Sequence, residues 1–179
     1  MLNSWAQSSG TIMKILFYLL SSISIVFTSM VFGIILSRLI AGLGRFSALK
    51  GYRLIRNDSI ASLIGLGIVK WFVCRTFWIK FNPGLRITGY PSFERLTEVR
   101  DEMTRAEVAH ILGFLLVTIA AVVFWALGNW TQCLILMVVN VVFNLYPVFL
   151  QQINKTRIEA IIRKASRQNT GSSKAYMSR

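Results

Sequence analysis

His110 is the only histidine in this 179-residue chain, and Glu107 stands three residues before it. On a helix that spacing puts imidazole and carboxylate on one face. Further on come Asn144, Gln151, Asn154 and Arg157, at intervals of seven, three and three, which again share one helical face. A neutral imidazole takes a proton from a hydroxyl, and an adjacent carboxylate orients the ring and stabilises its charged form. Amide and guanidinium donors hold a carbonyl oxygen or sugar hydroxyls, or stabilise a developing oxyanion. No serine, cysteine or lysine stands out as a covalent nucleophile, with Thr104 and Cys74 the remaining options. The set therefore favours direct transfer from a donor to an acceptor hydroxyl.

Each residue also has a plainer reading. Polar groups inside membrane spans cement helix to helix, which suits Asn144. Glu107, near Arg105 and Glu102, fits a solvated helix start. Arg157 lies in a basic tail and fits a phospholipid contact. One histidine and two distant cysteines, Cys74 and Cys133, give no metal site of known spacing. The cysteines read as small buried hydrophobes. No glycine-rich phosphate loop is present, and no bound cofactor is expected. Asn129-Trp130-Thr131 fits the glycosylation triplet, too short a pattern to carry weight.

The elements that hold these residues are read from composition. Hydrophobic residues make up 54% of the chain and mean hydropathy is +0.56, above the range of ordinary soluble domains. Net charge is +13, gathered between apolar blocks rather than interleaved with aromatics. That pattern points to a membrane protein with basic loops and away from a nucleic-acid binder.

Residues 12–36 form the first apolar run, longer than the ~20 residues that cross hydrocarbon. The run exceeds a signal-peptide core, so it reads as a retained anchor. A basic connector follows over 38–58. Residues 59–81 are apolar and aromatic but carry Lys70 and Arg75, which favours an interfacial or re-entrant amphipathic helix over a span. Asn82-Pro83-Gly84 breaks it. Residues 85–97 read as irregular, with a short hairpin around Tyr90-Pro91. Thr97 is the expected N-cap of the next helix, ahead of Glu98, Asp101 and Glu102. Spans over 108–127 and 132–150 then flank a turn at 128–131, and the last helix continues to Arg167. Residues 1–167 form one membrane domain, and 168–179 read as a disordered basic tail.

The fold class is thus an all-α integral membrane protein with three transmembrane helices plus one interfacial or re-entrant amphipathic helix. The connector through Arg105 holds twelve Lys and Arg, the tail seven, and Lys14 alone remains on the other side. The positive-inside rule puts the N-terminus outside, with the connector and the C-terminus cytoplasmic, in a multi-pass cell-membrane protein. The hairpin of the last two spans brings positions near 107–110 and 150–154 to similar depth, so that His110 faces Gln151 or Asn154 with Glu107 beside it.

At these stretches the sequence resembles the glycosyl-4,4'-diaponeurosporenoate acyltransferase family, small bacterial membrane proteins of carotenoid tailoring. The family pattern E-x-x-R-A-E-x-x-H reads here as Glu102, Arg105-Ala106-Glu107 and His110. Its asparagine and Q-R-Y-N-R-x-R segment correspond to Asn144 and Gln151-Gln152-Ile153-Asn154-Lys155-Thr156-Arg157. Lys70-Trp71-Phe72 and Arg75 are similar to an upstream K-W-F-x-x-R. The chain departs from the pattern at Ile111, usually tryptophan, and at Gln152-Ile153 in place of Arg-Tyr. The likeness covers roughly residues 64–165.

The resemblance implies esterification of a fatty acyl group onto a sugar hydroxyl of a glycosylated carotenoid or related glycolipid. His110 would be the base and Glu107 its partner. Asn144, Gln151, Asn154 and Arg157, with Arg105 and Glu102, would contact substrate. The acyl donor would be an acyl-CoA or an acyl carrier protein, and the surroundings membrane lipids. Composition alone also fits a non-catalytic small subunit packed against partner membrane proteins, or a pigment- or lipid-binding scaffold.

Overall fold

The computed structural model describes residues 2–42 and 92–177. The connector from Leu43, the 59–81 element, Cys74 and the stretch around Tyr90-Pro91 lie outside the described residues. Those described are almost entirely helical, without a strand among them. Three helical runs, Ser9–Gly42, Phe93–Ala126 and Trp130–Lys164, are long and apolar enough to cross a membrane.

Helix α1 spans Leu2–Gly42, α2 Phe93–Ala126 and α3 Trp130–Asn140. A π-helical turn over Val141–Leu145 leads into α4, Tyr146–Met177. Pro147 accounts for the widened turn: it lacks an N–H for the carbonyl four residues back, and its ring crowds that carbonyl. The N-cap of α2 is Ser92 rather than Thr97. The Ser92 hydroxyl accepts from the Arg95 N–H at 3.2 Å, while the Thr97 hydroxyl donates back to the Phe93 carbonyl. A serine directly after Pro91 is the stronger start signal. Helix α4 runs on to Met177, beyond the boundary at Arg167, through a stretch that holds no proline to stop it.

The chain divides into two compact units. One comprises Met1–Gly42 and Val108–Val148. Its core is Val26, Val117, Ala121, Leu136 and Val139. The patterning of α1 is inside out: Ser22, Ser29 and Ser37 are buried, whereas Ile12, Phe17, Leu20, Val31, Phe32 and Leu39 are exposed. That suits a helix whose outer solvent is lipid. Two of the serine hydroxyls donate to carbonyls of their own helix, Ser29 to Val26 at 2.7 Å and Ser37 to Ile34 at 2.9 Å, while that of Ser22 accepts from the Gln132 amide. Gly33 lets the backbone of α1 lie directly against the Ala109 carbonyl of α2, as small residues do between membrane helices. Further towards the start of α1, the Ser21 hydroxyl accepts from the Gln132 amide at 3.0 Å.

Helices α2 and α3 are joined by a tight reversal. Gly128 has φ +77°; its N–H bonds to the Trp125 carbonyl, and that of Asn129 to Phe124. These two bonds make a Schellman cap, which calls for glycine at the left-handed position. Trp125 and Trp130 meet edge-on across the turn, ring centres 5.8 Å apart.

The second unit comprises Leu43–Glu107 and Phe149–Arg179. In its described part, the first turns of α2 pack on α4 through Leu96, Val99, Met103 and Ile158.

Candidate active site

Among the described residues, each unit holds candidate site residues in a buried polar cluster. In the first, His110 on α2 meets Asn144 in the π turn, with His110 Nδ1 and Asn144 Oδ1 3.4 Å apart. Asn144 donates through Nδ2 to Asn140 Oδ1 at 2.9 Å. Asn140 in turn donates to the Phe114 carbonyl at 3.1 Å and to the Thr118 hydroxyl at 3.4 Å. Both asparagines have no exposed surface, and polar groups buried this deeply need such partners. Gly113 makes room: a Cβ there would come to 3.0 Å from Asn144 Oδ1.

In the second cluster, Glu107 receives two donors. Gln152 Nε2 donates to Oε1 at 2.6 Å and Lys155 Nζ to Oε2 at 2.8 Å. The Glu107, Gln152 and Lys155 side chains are all buried. Sequence reasoning pairs Glu107 with the imidazole. Here the carboxylate's two oxygens go to Gln152 and Lys155, and the imidazole's Nδ1 to Asn144. The cause is electrostatic: a lysine without exposed surface must have a counter-charge close by, whereas a neutral ring is content with an amide oxygen.

The remaining candidates divide by exposure. Asn154 is buried and Gln151 half-buried, and Gln151 Oε1 and Asn154 Nδ2 have no hydrogen-bond partner among the described residues. Arg157, Arg105 and Glu102 are exposed. Arg105 lines an open groove along α2 with Phe93, Glu94, Thr97, Glu98 and Asp101. Among the described residues no cluster of histidine, cysteine and carboxylates is suited to a metal ion.

Sequence reasoning missed Asn140, Gln152 and Lys155. Asn140 carried a signal, standing one helical turn before Asn144 in an apolar run. Lys155 carried a misleading one, because a lysine in a basic tail looks like a headgroup contact. The face counted from Asn144 at the α-helical period also omits the residue that a π turn adds.

A family model for glycosyl-4,4'-diaponeurosporenoate acyltransferase matches residues 46–164, two thirds of the chain. The match takes in Glu102 to His110 and Asn144 to Arg157. Neither a curated protein nor a solved structure shows significant similarity to the chain.

Proposed function

Since the chain belongs to the glycosyl-4,4'-diaponeurosporenoate acyltransferase family, we propose that it esterifies a sugar hydroxyl of a glycosylated carotenoid with a fatty acyl group, His110 serving as general base. The observation that carries this reading is the family match over the stretches that hold His110 and Asn144. The three apolar helices fit an enzyme that meets a lipid-soluble acceptor within the bilayer.

In this mechanism the imidazole takes the proton of the sugar hydroxyl as its oxygen attacks the carbonyl carbon of an acyl thioester. The new C–O bond forms, the C–S bond breaks, and the proton passes from the imidazolium to the departing thiolate. The family resemblance makes Gln151 and Asn154 candidate substrate contacts; within their own unit the buried Gln151 Oε1 and Asn154 Nδ2, unpartnered among the described residues, are suited to accept from a hydroxyl and to donate to an oxygen, respectively. Arg157, Arg105 and Glu102, all exposed, are candidate contacts to the head of the acyl donor or acceptor. Glu107 keeps Lys155 and Gln152 in place. The basic tail supports a cytoplasmic C-terminus, the side on which acyl-CoA and acyl carrier protein are found.

The test is transfer of labelled acyl groups from acyl-CoA to a glycosylated carotenoid by membranes containing the native chain or His110→Ala. Product from the native chain and a loss of ~100-fold or more in the variant are expected. Equal transfer by both would remove His110 as the base.

A further inference from the structure

The hydrogen bonds behind His110 run in one direction, and their direction has a chemical result. The chain starts at the Phe114 carbonyl, which can only accept. The Thr118 hydroxyl already donates to that carbonyl at 2.8 Å, so towards Asn140 it too presents a lone pair. Both groups therefore face the nitrogen end of the Asn140 amide. That leaves Asn140 Oδ1 turned to Asn144, which must answer with its own nitrogen, as it does at 2.9 Å. The oxygen of Asn144 is then the atom that faces His110 Nδ1. An amide oxygen only accepts, so in the neutral ring Nδ1 carries the hydrogen and Nε2 keeps the lone pair.

We infer that Asn140 is a positioning residue that acts through Asn144 to hold His110 in the Nδ1–H tautomer, which makes Nε2 the basic atom. The inference rests on the reading of His110 as general base and names the atom through which that base works. Asn140 is wholly buried, and its hydrogen bonds go to Phe114, Thr118 and Asn144. Its part is to keep the Asn144 amide from turning over. Without an acceptor behind it, Asn144 is free to rotate its nitrogen towards Nδ1, which would then have to be the unprotonated atom and would leave Nε2 with the hydrogen. A ring in that tautomer offers no lone pair at the outer nitrogen, and transfer slows.

His110 is the sole histidine, so the protein made without a histidine tag and labelled with 15N-histidine gives the signals of one imidazole. Nitrogen-15 NMR at a pH where the ring is neutral distinguishes protonated from unprotonated ring nitrogens. The native protein is expected to show Nδ1 protonated and Nε2 bare. Asn140→Leu, which removes the acceptor, is expected to gain the Nε2–H form and lose up to ~10,000-fold in kcat, with KM little changed, the scale on which a wrong tautomer acts in other histidine-dependent acyl transfer. Asn140→Asp retains an oxygen towards Asn144 and is expected to keep the native tautomer, a rescue that a purely packing role would not produce. An Nε2–H ring in the native protein, or an unchanged tautomer in Asn140→Leu, would overturn the inference. Should Asn140→Leu fail to fold, the native and Asn140→Asp spectra decide it. The two readings fail separately: full transfer by His110→Ala removes the base and leaves the tautomer assignment standing, while an Nε2–H ring in an active protein does the reverse.

Discussion

Lys155 and Glu107 form an ion pair of 2.8 Å whose side chains are only 1% and 4% exposed. With Gln152 on the second carboxylate oxygen, the pair joins the first turns of α2 to α4 within their unit. A buried pair of this kind contributes little net stability against an apolar substitute, yet breaking it by halves leaves one charge stranded.

Glu107→Gln or Lys155→Met alone should therefore destabilise this unit by ~3–5 kcal/mol. The double variant should recover most of the loss. Comparing the four proteins by thermal unfolding in one detergent checks the coupling, and additive losses would show that the two residues do not act as a pair.

Gly33 lies against the Ala109 carbonyl, a backbone atom that cannot swing aside. Gly33→Val should loosen α1 from α2 by ~1–3 kcal/mol. Crosslinking between cysteines introduced in the two helices reads this directly. An unchanged crosslinking yield would mean that the helices take up the valine without parting, and that the contact does not need glycine there.

Gly113→Ala is a finer case. Alanine favours a helix by ~1 kcal/mol over glycine, but its Cβ would come to 3.0 Å from Asn144 Oδ1. Stability should change little while acyl transfer falls, because the displaced group is the partner of His110. Native activity with a shifted melting temperature would reverse the argument.

Ser92→Ala removes the side-chain acceptor for the Arg95 N–H and should cost about 1 kcal/mol. Thr97→Ala should cost less, since the Thr97 hydroxyl only bonds back to its own helix. Thermal unfolding of the two variants under one condition ranks them, and equal losses would deny Ser92 the capping role.

The spans were legible in the sequence because crossing hydrocarbon sets a length that composition reveals, and Gly128 marked the turn between the last two. Register inside the spans was harder to read. Counting at 3.6 residues per turn identified Asn144, but a π turn ahead of Pro147 interrupts that count. The partner of Glu107 was hidden for another reason. In a tail rich in basic residues nothing in the sequence distinguishes Lys155, which is buried, from Lys164, which is exposed; only the packing of α2 on α4 selects between them. The link from Asn144 to Asn140 was readable in principle, as two amides one turn apart among Val and Phe, a setting where each needs the other.

The inverted patterning of α1 bears on what loss of structure means for this protein. In hydrocarbon a helix that closes its own amide bonds has no reason to melt, and a leucine surrounded by acyl chains gains nothing from retreating inward. Disassembly of that bundle is then a parting of intact rods. It would register as increased distance between spin labels while far-ultraviolet circular dichroism stayed nearly constant.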